Sequence, residues 1–186
     1  ISMFLFGLGA IWAAIKYTAG KNPYGYLALG DLSVFIFFGL LGVVGTYYLH
    51  AKNLDDSWIW LPAITCGALA TGVLNINNTR DIKNDLANNK ITLAGKLGKR
   101  NALLYQMALL IIAGFSFSWY LSQVWKHPVI MFSVLGLMPA LKGLQRMNKI
   151  KEGDEHLFNN ELKVLSLSSL FLVILTFVCW RMQFFI

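Results

Sequence analysis

WIWLPAITCGALATGVL, residues 58–74, runs without a break into NINNTRDIKNDLANNKITLAGKLGKR, residues 75–100. The first stretch has no charged residue. The second has two aspartates four residues apart, six Lys or Arg, and several asparagines. Extended to Asn77, the apolar run reaches about 20 residues, the length a helix needs to cross a bilayer. The chain reads as a membrane protein, and the polar stretch as the point where a span emerges carrying chemistry.

The composition agrees. Of 186 residues, 56% are hydrophobic and 13% charged, against roughly 25% charged in a soluble domain. Mean hydropathy is +0.56. Apolar runs at about 1–19, 32–49, 58–77, 102–121, 128–144 and 162–180 predict six spans. They fill the chain, so the expected fold is one all-α polytopic membrane helix bundle over residues 1–186. The first run starts at residue 1 and lacks the basic leader and small-residue cleavage site of a signal peptide. The expectation is that the chain begins inside a span and is the C-terminal part of a longer protein. Cys66 and Cys179 lie in apolar runs with no CxxC, which argues against disulfide or zinc chemistry. Both are expected as small buried hydrophobes.

The charges orient the bundle. With connecting segments placed alternately on two faces, thirteen of the 16 Lys and Arg fall on one side. Only Lys52, Lys126 and Arg181 fall on the other. An excess of basic residues marks the cytoplasmic side. The net charge of +7 is therefore read as topology and attraction to anionic lipid, not as a nucleic-acid surface. The inward connections are the long ones. KYTAGKNPYGYLALGD (16–31) is broken by Pro and Gly. LKGLQRMNKIKEGDEHLFNNELK (141–163) predicts a short amphipathic helix on the membrane surface. His50 and His127 fall outward and His156 inward, so they form no common metal site. Gly39, Gly42 and Gly45, with Ala63, Gly67, Ala68 and Gly72, suit close packing between spans.

Asn77, Asp81 and Asp85 read NxxxDxxxD. Residues four apart share a helix face, and Asn78 joins it. This is the C-terminal end of a span, where the helix dipole disfavours each carboxylate by about 0.3–1 kcal/mol. Something positive is required. One answer is pairing with Arg80, Lys83 or Lys90, worth about 0–1 kcal/mol per exposed pair. The other is Mg²⁺, which takes hard oxygen ligands and is held by one or two carboxylates plus substrate phosphates. The flanking basic residues suit the remaining phosphate oxygens. Diphosphate chemistry at the end of apolar spans points to a polyprenyl diphosphate.

NINNTRDIKNDLANNKITLAGKLG (75–98) resembles the second aspartate-rich motif of the UbiA superfamily of intramembrane prenyltransferases. Its core (Asn77, Asn78, Arg80, Asp81, Asp85) and the following Lys90, Thr92, Leu93, Leu97 and Gly98 are most similar to the 1,4-dihydroxy-2-naphthoate branch. IKYTAGKNPYGYLALGDLSVFIFFG (15–39) fits the same branch. The resemblance implies six spans of a nine-span fold, with the first three spans and the first aspartate motif outside this chain. It implies transfer of a prenyl group from polyprenyl diphosphate to dihydroxynaphthoate, with loss of its carboxylate, on the way to menaquinone. It implies Mg²⁺ on Asp81 and Asp85, supported by Asn77 or Asn78. Lys21, Arg80 and Lys90 are candidates for the diphosphate or the acceptor carboxylate. Tyr17 is a candidate for facing the allylic cation with its ring; interfacial anchoring is the other reading for Tyr17 and for Tyr26. A bacterial inner membrane with the working face cytoplasmic is expected.

Other readings remain. A 4-hydroxybenzoate or haem-type relative would differ only in the acceptor. A transporter would place ionisable groups deep in its spans, and these spans are almost free of them. A non-catalytic scaffold would use the small-residue faces as its main content.

Overall fold

The computed structural model describes residues 2–21, 23–125 and 128–182. Lys126 and His127, placed outward above, lie outside the described residues. The chain is an all-α membrane helix bundle. Helix α1 is Ser2–Thr18. Helix α2 is the continuous rod Gly30–Ala51, which is α-helical at both ends and a π-helix over Phe35–Val44. Helix α3 is Trp60–Arg80, entered through a 3₁₀ turn at Ser57–Ile59. The short α4, Ile82–Ala87, follows directly. Helix α5 is Leu93–Val124. A 3₁₀ stretch, Pro128–Leu137, leads into α6, Met138–Lys149. Helix α7 is Phe158–Met182.

Among the described residues, four helical segments are long and apolar enough to cross a membrane: Gly30–Ala51, Ser57–Arg80, Leu93–Val124 and Glu155–Met182. These cover the second, third, fourth and sixth apolar runs. The first run forms α1, whose apolar part, Phe4–Thr18, is shorter. The fifth run is not one α-helix: it winds as 3₁₀ up to Leu137 and becomes α-helical at Met138. Pro139 sits in the first turn of α6, where its missing N–H leaves no hydrogen bond unmade. The segment passes close to α7, since a Cβ on Gly136 would lie 2.8 Å from the Leu172 amide nitrogen.

Helix α3 is the hub, with α2, α5 and α7 packed around it. Its small residues are what allow this. A Cβ on Gly39 of α2 would come within 2.6 Å of the Gly67 Cα and 2.7 Å of the Ala63 carbonyl oxygen. The backbones of α2 and α3 touch there, as small-residue faces permit. Gly45, by contrast, faces open space. A second core joins Ile76 of α3, Leu103 and Leu110 of α5, Met147 of α6, and Phe158 and Leu165 of α7. The outward faces remain apolar, for example Phe38, Phe115, Trp119 and Phe177. That would be a liability in water but suits lipid.

Two expectations need correction. Cys66 is exposed on α3; only Cys179 is buried. The amphipathic helix predicted within 141–163 is present at 141–149, the end of α6, but its apolar face packs into the bundle. It buries Ala140, Gly143 and Met147, and Arg146 reaches across to the buried Glu161 of α7 with bonds of 2.6 and 2.7 Å.

Candidate functional site

Helix α3 ends in the stretch Asn75–Arg80. The α-helical geometry breaks at Asp81 (φ −96°, ψ 9°), yet the four-residue hydrogen-bond steps continue through the break. The Asp81 amide donates to the Asn77 carbonyl at 3.1 Å, and the Asp85 amide to the Asp81 carbonyl at 2.8 Å. The NxxxDxxxD spacing therefore stays in helical register from α3 into α4.

The two carboxylates have separate partners. Arg80 donates to Asp81 through Nε to Oδ1 at 2.7 Å and Nη2 to Oδ2 at 2.6 Å. The same guanidinium donates to Asn77 Oδ1 at 2.8 Å and to Asn159 Oδ1 of α7 at 2.5 Å. One arginine thus gathers Asn77, Asp81 and Asn159. Asp85 is buried, and Lys90 donates to both of its oxygens at 3.2 Å. The positive charge that the C-terminal dipole calls for comes from Arg80 and Lys90. Lys83 turns away to Glu155 and Glu152, at 3.4 and 3.6 Å. Those two carboxylates, Glu155 first, hold its ammonium above the usual lysine range.

Asn78 is buried and its Oδ1 has no hydrogen-bond partner among the described residues. One turn earlier, Asn75 donates to the Gln106 side chain and to the Ala102 carbonyl, both at 2.9 Å. Among the described residues no cluster of three His, Cys, Asp or Glu side chains forms.

Tyr17 reaches the same end of the bundle from α1. Its ring stacks edge-on against Tyr24, with centroids 5.3 Å apart. A Cβ on Gly30 would lie 2.9 Å from its hydroxyl and 3.5 Å from Leu74 of α3. Lys21 is exposed in the loop beyond α1, and no hydrogen bond or ion pair joins it to the carboxylates among the described residues.

The connection is made by backbone. Leu27 and Ile91 form a single parallel bridge. The Ala28 amide donates to the Ile91 carbonyl at 2.8 Å and the Ile91 amide to the Tyr26 carbonyl at 3.2 Å. The loop carrying Lys90 is thereby tied to the loop between Tyr17 and Asp31. Thr92 then caps α5, its hydroxyl accepting from the Gly95 amide at 3.1 Å. Gly98 holds φ 72° and ψ 161° inside α5, a conformation open to glycine and strained for other residues. This gives the glycine of the LG pair a physical role.

Two open grooves flank this end, both bordered by Val34 and Phe38. One, of about 520 Å³, runs along Ala70, Val73 and Leu74 and ends at Asn77. The other, of about 390 Å³, is bordered by Ala10, Ala14 and Tyr17. Their walls are apolar and each has a polar group at hand. Sequence reasoning missed Asn159, Asp31 and the Asn75–Gln106 pair. The Asn159–Asn160 dipeptide in an inward connection was the available signal for the first. A lone acid at the start of a span was the signal for Asp31.

A model described as the UbiA prenyltransferase family matches residues 1–170. Over 107 residues the chain is 56% identical to a 1,4-dihydroxy-2-naphthoate octaprenyltransferase of Haemophilus influenzae, covering 58% of this chain and 34% of that protein. Over 111 residues it is 51% identical to the protein of that name from Escherichia coli, covering 60% and 36%. Over 154 residues it is 39% identical to that of Mycobacterium tuberculosis, covering 81% and 50%. The chain spans half or less of the length of these curated relatives. No solved structure gives a significant match.

Proposed function

The chain belongs to the UbiA prenyltransferase family, and on that premise we propose that it is part of an enzyme transferring a polyprenyl group from its diphosphate to 1,4-dihydroxy-2-naphthoate. The carboxylate is lost in the same reaction, and the product is the demethylmenaquinone precursor. The relatives' names supply the acceptor. The observation that carries the reading is the pairing of Arg80 with Asp81 and Lys90 with Asp85 beside an apolar groove that ends at Asn77.

The donor set suits Mg²⁺. It consists of hard oxygens from Asp81 and Asp85, with Asn78 Oδ1 as a further acceptor that no donor among the described residues satisfies. Bound there with substrate phosphate completing its shell, Mg²⁺ would neutralise charge on the departing diphosphate. Arg80 and Lys90 already sit on the carboxylates. When diphosphate binds they are placed to turn their N–H groups onto its free oxygens, and Lys21, exposed in the loop after α1, is the third basic candidate for them. The apolar groove takes the prenyl tail and excludes water from the allylic cation. The Tyr17 ring offers that cation its negative face.

The basic excess on the faces bearing these loops supports a cytoplasmic orientation in a bacterial inner membrane. A scaffold reading is disfavoured because Gly39 and Gly67 are used up in internal packing. The test is prenyl transfer in membranes containing the intact protein, given a polyprenyl diphosphate and dihydroxynaphthoate with and without Mg²⁺. Metal-dependent prenylated naphthoquinol is expected. Its absence, or equal product without any divalent metal, would overturn the reading.

A further inference from the structure

Asp31 is a carboxylate that the proposed chemistry does not yet use. It is 4% exposed, and its Oδ1 is buried with no hydrogen-bond partner among the described residues. No Lys, Arg or His among the described residues forms an ion pair with it. Its place in the first turn of α2 favours an acid by about 0.3–1 kcal/mol. An exposed carboxylate does that equally well, so helix stability does not explain the burial. Burying a charged group without a partner is costly, and a fold that retains one at this end of the bundle has a use for it.

Its surroundings indicate the use. Thr71 of α3 donates to the Asp31 carbonyl at 3.4 Å, pinning the residue against the hub helix. Tyr17 borders the open groove and carries its hydroxyl to the start of α2, at Gly30. The Leu27–Ile91 bridge ties the loop ahead of Asp31 to the loop that follows Asp85. Asp31 is thus a buried acceptor, the Tyr17 hydroxyl lies against Gly30, the residue before it, and Tyr17 borders the groove.

We propose that Asp31 is the proton acceptor of the prenyl-transfer site, reached from the groove through the Tyr17 hydroxyl. This rests on the naphthoate reading above. As the allylic C–O bond breaks, the diphosphate takes the bonding pair. The ring carbon bearing the carboxylate supplies the pair for the new C–C bond. The adjacent ring hydroxyl gives its proton to the Tyr17 oxygen, Tyr17 gives its own to Asp31, and the ring oxygen becomes a carbonyl. When CO₂ leaves, the C–C pair it releases restores the aromatic ring. The proton returns along the same path to the ring oxygen. No outside acid, base or oxidant is consumed.

The test compares Asp31→Asn and Tyr17→Phe with wild type in native membranes, using a polyprenyl diphosphate, dihydroxynaphthoate and Mg²⁺. Loss of a general base lowers kcat by roughly a hundredfold or more. That loss is expected in both variants, with the donor KM within about twofold of wild type. Activity should return as pH rises and the acceptor hydroxyl ionises unaided, which a structural defect would not allow. Tyr17→Phe keeps the ring, so it separates relay from cation contact. It also serves if Asp31→Asn fails to accumulate. Either variant within threefold of wild type overturns the proposal, as does a loss that alkaline pH does not restore. If wild type makes no prenylated naphthoquinol, the function reading fails and this falls with it.

Discussion

Arg80 holds Asp81 with two parallel hydrogen bonds of 2.7 and 2.6 Å while its remaining N–H groups reach Asn77 and Asn159. The pair is partly open to solvent, about a quarter exposed on each side, so its value to stability is about 0–1 kcal/mol. Its geometry matters more than its energy. Arg80→Lys keeps the charge but loses the planar fork. Steady-state kinetics should show a donor KM raised about tenfold or more, with little change in thermal unfolding. Lys83→Ala, which removes only solvent-facing pairs, should leave both unchanged.

Asp85 is the more buried carboxylate of the two. Asp85→Asn removes the charge yet keeps a similar shape beside Lys90. Transfer activity should fall by more than a hundredfold, the size of effect seen when one electrostatic group at a transition state is lost. The metal concentration needed for half-activity should rise for any residual turnover. Full activity at unchanged metal demand would remove Asp85 from the site.

Arg146 and Glu161 join α6 to α7, with the carboxylate buried and the guanidinium half exposed. Arg146→Ala strands a buried charge, which costs about 3 kcal/mol. Adding Glu161→Gln removes the stranded charge, so the double variant should be more stable than the single one. Thermal unfolding in detergent reads both.

Gly39 and Gly45 lie six residues apart on one helix but differ in surroundings. Gly39→Ala forces a methyl into the α3 backbone, and overpacking of that kind costs about 1–3 kcal/mol. Gly45→Ala enters open space and should cost nothing measurable. Equal effects would mean that α2 and α3 do not meet as described.

Much of the fold was legible because bilayer thickness imposes a length on every apolar run. The runs at 32–49, 58–77, 102–121 and 162–180 all lie in long helices for that reason. The 3₁₀ winding at Pro128–Leu137 was not legible, since hydrophobicity says nothing about how tightly an apolar segment coils. Register from Asn77 to Asp85 could be counted from spacing. The choice of Arg80 and Lys90 over Lys83 as partners could not, because it depends on the position of α7 and the path of the loop. Asp31 escaped notice for a related reason: a single acid at a span boundary looks solvated until the neighbouring helices are in place.

The bridge between Leu27 and Ile91 is made by main-chain atoms alone, and both side chains are about half exposed. The tie between the two loops is therefore blind to side-chain identity. Almost any residue can stand at those two positions, and mutational scans there should look permissive. Proline is the exception at both, since the Leu27 amide donates to the Tyr24 carbonyl at 3.1 Å and the Ile91 amide to the Tyr26 carbonyl at 3.2 Å. A position free to vary in composition can thus hold a working geometry in place, and variability along these loops is no sign that they are idle.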